Sequence, residues 1–457
     1  MLAEQFVEVA ETRPEVVAYH YEHAGEAVRA VTYYQRAGEQ AGARSAHEEA
    51  AVHLRRGIAL LPALPEAAER NRREAHLQLA LGASLIAVRG YSHPETEAAY
   101  EQALRLCDAV GDVVLRASAL FGLWNFYLSA GRLARSRELA ERILRLGDQT
   151  GELVPLLLAH EAICITDHLQ GKFASALEHS EQTAAIYACL RDRVITFLPG
   201  ADQGIAARCY AAWSLWFLGY PDRALGGARA AIDMAGSLAQ PFSLGYALNF
   251  GAIVHSYRRE AQSQRELADQ LITLSEAQGF PLLLGVGKWH RGAALAASGP
   301  AALAVAEVVE GLTLVAGTGF QAMAPGALAL LAEVQQAAGQ RAEAQGTLET
   351  ALAVSAQTEQ RFFDAELYRL KAELLLQSGP ECVGEAEPLF RRALEIARSQ
   401  EAKSLELRAA TSLARLLQTQ GKPTEARGLL APIYAWFTEG FDTRDLIEAK
   451  ALLEELG

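Results

Sequence analysis

Apolar residues recur at separations of three and four along most of this chain, as in Leu120, Leu123, Trp124 and Tyr127, while runs of Val, Ile and Thr of strand type are scarce. That period places apolar side chains on one face of an α-helix. In the first quarter it predicts helices at 14–24, 26–43, 46–61, 67–88 and 92–109, with a break at Pro62-Ala63-Leu64-Pro65. Small residues seven apart, Ala30 with Ala37 and Ala50 with Gly57, lie on these helices. A last helix is predicted near 442–456, opened by Asp442-Thr443 and carrying Leu446, Ala449, Leu452, Leu453 and Leu456. It would cover the exposed end of a stack.

Between these ends a turn repeats, in which Gly is followed five residues later by a small residue. The pairs are Gly131…Ser136, Gly171…Ala176, Gly219…Ala224, Gly299…Ala304, Gly339…Ala344 and Gly421…Ala426, with weaker copies at Arg259…Gln264 and Glu381…Ala386. The second members are separated by 40, 48, 40, 40, 40, 42 and 40 residues. Gly permits the left-handed backbone that reverses the chain, and the small residue lets two helix axes approach. Another core position follows seven residues on, at Ala231, Leu271, Ala351, Ala393 and Ile433. One such hairpin cannot bury its apolar faces alone and must stack on its neighbours. The spacing therefore predicts an all-α, tetratricopeptide-like solenoid of helical hairpins, a right-handed superhelix with repeats of about 40 residues. An irregular array of HEAT type is the alternative. The expected organisation is 1–110 as irregular N-terminal helical repeats, 111–440 as regular repeats and 441–457 as a C-terminal capping helix.

Composition narrows the function. A formal charge of −13 repels phosphate backbones, and no dense run of Lys and Arg offsets it, so nucleic acid is not an expected partner. The stretches 234–257 and 311–332 lack charge but are broken by turn or polar residues, so no membrane span is expected, and the N-terminus does not read as a signal peptide. Five scattered cysteines read as thiols of a reducing cytoplasm. Phosphate loops, nucleophile elbows and dinucleotide fingerprints are missing from the sequence. His47 and His53 stand six apart, on opposite sides of a helix, which is not a metal-ligand spacing. The chain is expected to be no enzyme, with no metal and no cofactor.

The segment 191–220 contains the eight residues that lengthen one step to 48, including a Leu198–Gly204 loop, followed by Trp213, Trp216 and Phe217. These aromatics read either as packing or as a wall facing a ligand. Several stretches, Tyr19–Gly25, Tyr34–Gly38, Gly122–Tyr127, Trp213–Pro221, Phe363–Lys371 and Trp436–Asp442, together resemble the C-terminal tetratricopeptide region of large bacterial signalling ATPases. Those proteins often carry a class III adenylate/guanylate cyclase domain and a central STAND-type, AAA-like ATPase, and the region is similar in architecture to the sensor of the maltose-regulator family. No residue here matches a cyclase or ATPase motif, so those activities do not carry over. The chain is expected to be either a piece of such a protein or a free-standing relative.

The resemblance implies a cytoplasmic scaffold or sensor in bacterial signalling that holds a peptide, a partner protein, or the ATPase and cyclase modules of its parent. A small-molecule effector bound near the loop 191–205 and its aromatics is the alternative. In such repeats the first helix of each pair lines the concave groove. Counting back from each turn, the groove candidates are Asn125, Glu161, His168, Trp213, Trp216, Asn249, Trp289, Glu333, Glu366, Arg369, Glu373, Arg408 and Arg415.

Overall fold

The computed structural model describes residues 11–44, 46–64, 66–90, 93–190, 200–238, 240–297 and 299–457. Among them are 22 α-helices and no strand. The first seven are α1 (Pro14–His23), α2 (Ala27–Ala43), α3 (His47–Leu60), α4 (Ala67–Arg89), α5 (Pro94–Val110), α6 (Val113–Ser129) and α7 (Leu133–Thr150). Then come α8 (Leu153–Leu169), α9 (Phe173–Cys189), α10 (Gln203–Phe217), α11 (Pro221–Ser237), α12 (Pro241–Tyr257), α13 (Ala261–Gln278), α14 (Pro281–Leu295) and α15 (Ala301–Gly317). The rest are α16 (Ala324–Ala337), α17 (Arg341–Thr358), α18 (Asp364–Leu376), α19 (Val383–Ser399), α20 (Lys403–Thr419), α21 (Pro423–Tyr434) and α22 (Arg444–Glu455). Residues 191–199 of the lengthened step lie outside the described residues.

The helices are all-α hairpins of the tetratricopeptide kind. At Gly131, Gly171, Gly219, Gly339 and Gly421 the backbone is left-handed, with φ of 70–92°. At each, the next N–H reaches back five residues to a carbonyl, as in Arg132 N to Tyr127 O at 2.8 Å and Lys422 N to Leu417 O at 2.9 Å. This is the Schellman closure of a helix C-terminus. Arg259 adopts the same conformation without being glycine, at φ 62°. Gly299 departs from the expectation. It is not left-handed, and its N–H bonds Leu295 O at 2.7 Å instead. The small residues after the turns are buried at the helix-pair contact: Ser136, Ala176, Ala224, Ala304, Ala386 and Ala426 at 0 %, Ala344 at 1 % and Gln264 at 4 %.

The chain divides into two compact units. Among the described residues the first comprises those of 11–162, 186–190, Gly200 and 317–320. Its core gathers Val31, Leu54, Leu77, Leu81 and Leu85. Tyr100 is fully buried between α4 and α6, where a Cβ at Gly82 or Gly122 would lie within 2.7 Å of its ring. Those two glycines make the space for it.

The second unit comprises 163–185, 201–316 and 321–457. Its stack returns on itself after five hairpins. Phe362 N, ahead of α18, donates to Leu169 O of α8 at 3.1 Å. Five hairpins after α10, Ser404 Oγ of α20 donates to Trp216 O at 2.5 Å. Glu439, past α21, accepts from the Asp222 and Arg223 amides that open α11, at 2.9 and 3.0 Å. The buried Arg258 guanidinium ties Asp222, Glu260 and Asp442 together at 2.9, 2.7 and 3.4 Å. A tetratricopeptide stack whose repeats met only their neighbours would keep Arg258 on Asp222 and Glu260 but would lack its bond to Asp442 and the bonds of Phe362, Ser404 and Glu439.

Candidate ligand cavity

Within the second unit the first helices of successive pairs point equivalent positions inward, and the register explains what each position meets. Trp213, Glu333 and Arg415 each stand six residues before the turn glycine of their own hairpin, Gly219, Gly339 and Gly421. In α10 that inner side is filled by the returning chain. Trp213 packs at 5.3 Å from the Phe362 ring and 4.0 Å from His168, centroid to centroid. In α16, α18 and α20 it is open, and the opening is a cavity of about 480 Å³, within the range of small-ligand sites.

The cavity is lined by α16, α18, α20, the end of α12 with Arg259, and α22. At its base a buried ion network holds the helices in register. Glu366, 1 % exposed, accepts both Nε and Nη2 of Arg369 at 2.9 and 2.8 Å, and Nη1 of Arg408 at 3.0 Å. Arg408 also bonds Asp445 at 2.7 Å and Tyr257 O at 2.7 Å, and its guanidinium lies 4.9 Å from the Trp216 ring centroid. Arg369 reaches Glu373 at 2.5 Å, which in turn accepts from Ser412 at 2.7 Å. Burial pushes the Glu366 carboxyl up, but the two guanidiniums outweigh it and hold its pKa at about 2.

The rim carries charge that the network leaves less satisfied. Glu448 is shared by Arg259, Arg415 and Arg444 at 3.0, 3.2 and 3.1 Å. Arg259 and Arg415 remain 43 % and 49 % exposed. On the α16 side Glu333 is solvent-exposed within the cavity and has no hydrogen bond or ion pair with any described residue. It is open to the cavity's solvent but surrounded at short range by protein. That surrounding protein, with Glu366 and then Glu373 nearby, outweighs the fields of Arg369 and Arg408 and raises its pKa to about 7.

Six groove candidates, Glu333, Glu366, Arg369, Glu373, Arg408 and Arg415, thus line one cavity. The others lie elsewhere. Trp213, Trp216 and His168 are 2 % exposed or less in the aromatic core of the second unit. Asn249 accepts from His290 Nε2 at 3.1 Å, and that imidazole is pushed down by burial to a pKa of about 3. Trp289 packs against Gly311 between α14 and α15. Asn125, half-buried in the first unit, accepts from Ser129 at 3.1 Å, and Glu161 is buried there too. Reading the last helix as a cap missed Asp445 and Glu448. Their i, i+3 spacing on a helix otherwise apolar toward the stack was the available signal.

No family model matches the chain. It is 25 % identical over 402 residues to an uncharacterized protein of Rhizobium meliloti (strain 1021), covering 88 % of this chain but only 39 % of that protein. The fold is similar to the crystal structure of a Rap protein complexed with competence and sporulation factor, with a TM-score of 0.56 at 12 % identity, covering 84 % of this chain and 99 % of that one. A signal transduction ATPase with numerous domains and a tetratricopeptide repeat sensor, from Pyrococcus horikoshii, aligns at TM-score 0.42 and 12 % identity over 84 % of this chain and 55 % of that one.

Proposed function

We propose that this chain is a peptide- or protein-binding scaffold of bacterial signalling, cytoplasmic and non-catalytic, whose ligand occupies the cavity between α16, α18 and α20. The observation that carries this reading is the Glu366–Arg369–Arg408–Asp445 network. Buried charges that pair with one another fix the cavity walls before a ligand arrives, which lowers the cost of binding. The likeness in fold to a Rap protein complexed with competence and sporulation factor supports a bound regulatory factor as the ligand class. The aromatics of α10 offer no free face to a small molecule, because Trp213, Trp216 and Phe217 are all buried. The relative from Rhizobium meliloti is far longer than its matched part, which supports a sensor region joined to further modules such as the ATPase and cyclase of the resembling proteins. Residues 1–110, 111–440 and 441–457 would then act as entry repeats, regular repeats and end cap.

The test is retention of a random pentapeptide library by the full chain, read by native mass spectrometry. Leu330 lines the cavity, and Leu330→Trp fills it. Wild type should retain a subset of peptides that the variant loses at unchanged helical content. Equal retention by both proteins places recognition outside the cavity and overturns the reading.

A further inference from the structure

We infer that the cavity selects a zwitterionic ligand and orients it, with a ligand ammonium at Glu333 on α16 and a ligand carboxylate at Arg415 and Arg259 beside α20 and α22. The inference rests on the cavity being the ligand site and adds the ligand's charge pattern. It follows from counting partners around one enclosed space. The charges at the base satisfy one another: Glu366 with Arg369 and Arg408, Arg408 with Asp445, and Arg369 with Glu373. The remaining groups do not balance locally. Arg259, Arg415 and Arg444 all pair with Glu448, Arg259 reaching Asp445 at 3.5 Å as well, and Arg259 and Arg415 line the cavity while staying over two-fifths exposed. Glu333, at the register of Arg415 but two hairpins earlier, has no cation within ion-pair distance among the described residues.

Glu333 faces the cavity with no hydrogen bond or ion pair among the described residues, so a ligand ammonium there gains a charge-assisted hydrogen bond that the protein does not already make. The protein around Glu333 and the nearby Glu366 raise its pKa against the opposing fields of Arg369 and Arg408, so the network's own cations do not neutralise it. An arginine that already has part of its donor fork free accepts a second carboxylate in a planar, two-bond geometry. A neutral ligand would leave both ends as they are. A polyanion would meet Glu333, and a polycation would meet Arg259 and Arg415. A molecule with one charge of each sign satisfies both ends at once, and an unblocked short peptide is of that kind. Its cation is either the terminal ammonium or a lysine side chain.

The experiment uses the full chain and the random pentapeptide library in three forms: free termini, N-acetylated, and C-amidated. Half of each form lacks lysine and arginine. Free-termini peptides should be retained at least about tenfold more tightly than peptides blocked at either end, the difference expected for losing a charged hydrogen bond. Glu333→Gln should erase the discrimination against acetylation while sparing that against amidation, and Arg415→Gln should do the reverse. N-acetylated peptides retained only when they contain lysine or arginine would assign the cation to a side chain and support the inference equally. If wild type retains all three forms alike, and Leu330→Trp still abolishes retention, the zwitterion inference fails and the cavity stands. If no form is retained, both fall.

Discussion

Replacing Glu366 by Gln removes one charge from the base of the cavity and almost no volume. In the folded chain this carboxyl is 1 % exposed. Burial raises its pKa, while Arg369 and Arg408 lower it by more, and it settles at about 2 against an ordinary value of 4.5. That fall corresponds to about 3 kcal/mol of stabilisation. The folded pKa is the depressed one. The contribution is therefore complete above pH 4.5 and is lost as pH falls toward 2. Glu366→Gln should lower the unfolding free energy by about 3 kcal/mol, equally at pH 6 and pH 8, which in a unit of this size is a fall of roughly 6–12 °C in Tm. Urea titration followed by tryptophan fluorescence reads it, since Trp213 and Trp216 are buried in the same unit. Adding Arg369→Gln should recover part of the loss, because the surplus cation leaves with it. A loss below about 1 kcal/mol, or one that differs between the two pH values, refutes the assignment of Glu366 as the keystone of the network.

Glu333 should behave with the opposite sign. Its folded pKa is raised to about 7, so wild type loses stability as pH climbs from 4.5 through 7, and Glu333→Gln should gain Tm relative to wild type at pH 8 but not at pH 4.5. A gain that is the same at both pH values removes Glu333 from an enclosed environment. Gly311→Ala should destabilise by about 1–3 kcal/mol, because a Cβ there would sit 2.4 Å from Gly285 O and 2.7 Å from Trp289 N, both backbone atoms that cannot step aside. Gly346→Ala, on the exposed face of α17 with nothing within 4 Å, should stabilise by about 0.5–1 kcal/mol; denaturant midpoints of the two variants moving the same way would undo the packing argument. Arg258→Met should cost about 1–2 kcal/mol, less than breaking a fully buried pair, since Asp222 and Asp442 stay half or more exposed and are resolvated. Thermal unfolding by circular dichroism measures this, and a loss above about 3 kcal/mol would mean that those carboxylates are not released to water.

The hairpins were legible because each is set locally. A left-handed Gly and a small residue five positions on are properties of one turn, and Gly131, Gly171, Gly219, Gly339 and Gly421 all carry the resulting closure. Gly299 fits the spacing but not the conformation, because spacing does not report φ. The inward register was legible only in part: of the thirteen residues counted back along first helices, Glu333, Glu366, Arg369, Glu373, Arg408 and Arg415 line the cavity and seven do not. The same count cannot say whether the space in front of a residue is empty. Trp213 occupies the register of Glu333, yet Phe362 fills its front. That difference is made by the return of the stack after five hairpins, which depends on the angle between repeats and leaves no local mark. Arg259, Asp445 and Glu448 reach the cavity for the same nonlocal reason.

The return has a consequence for how the chain is made. Trp216 is 188 residues ahead of Ser404, which covers its carbonyl. At about 5–20 residues per second the ribosome needs on the order of 10–40 s to supply that distant partner. For that interval the inner faces of α8 and α10, with His168, Trp213 and Phe217, have no Phe362 or α20 to pack against. An array whose repeats settled pairwise could mature as it emerged, one hairpin at a time. Here the first hairpins of the second unit wait with an aromatic face exposed, so nascent chains stalled before residue 400 should be held by chaperones that full-length chains no longer engage.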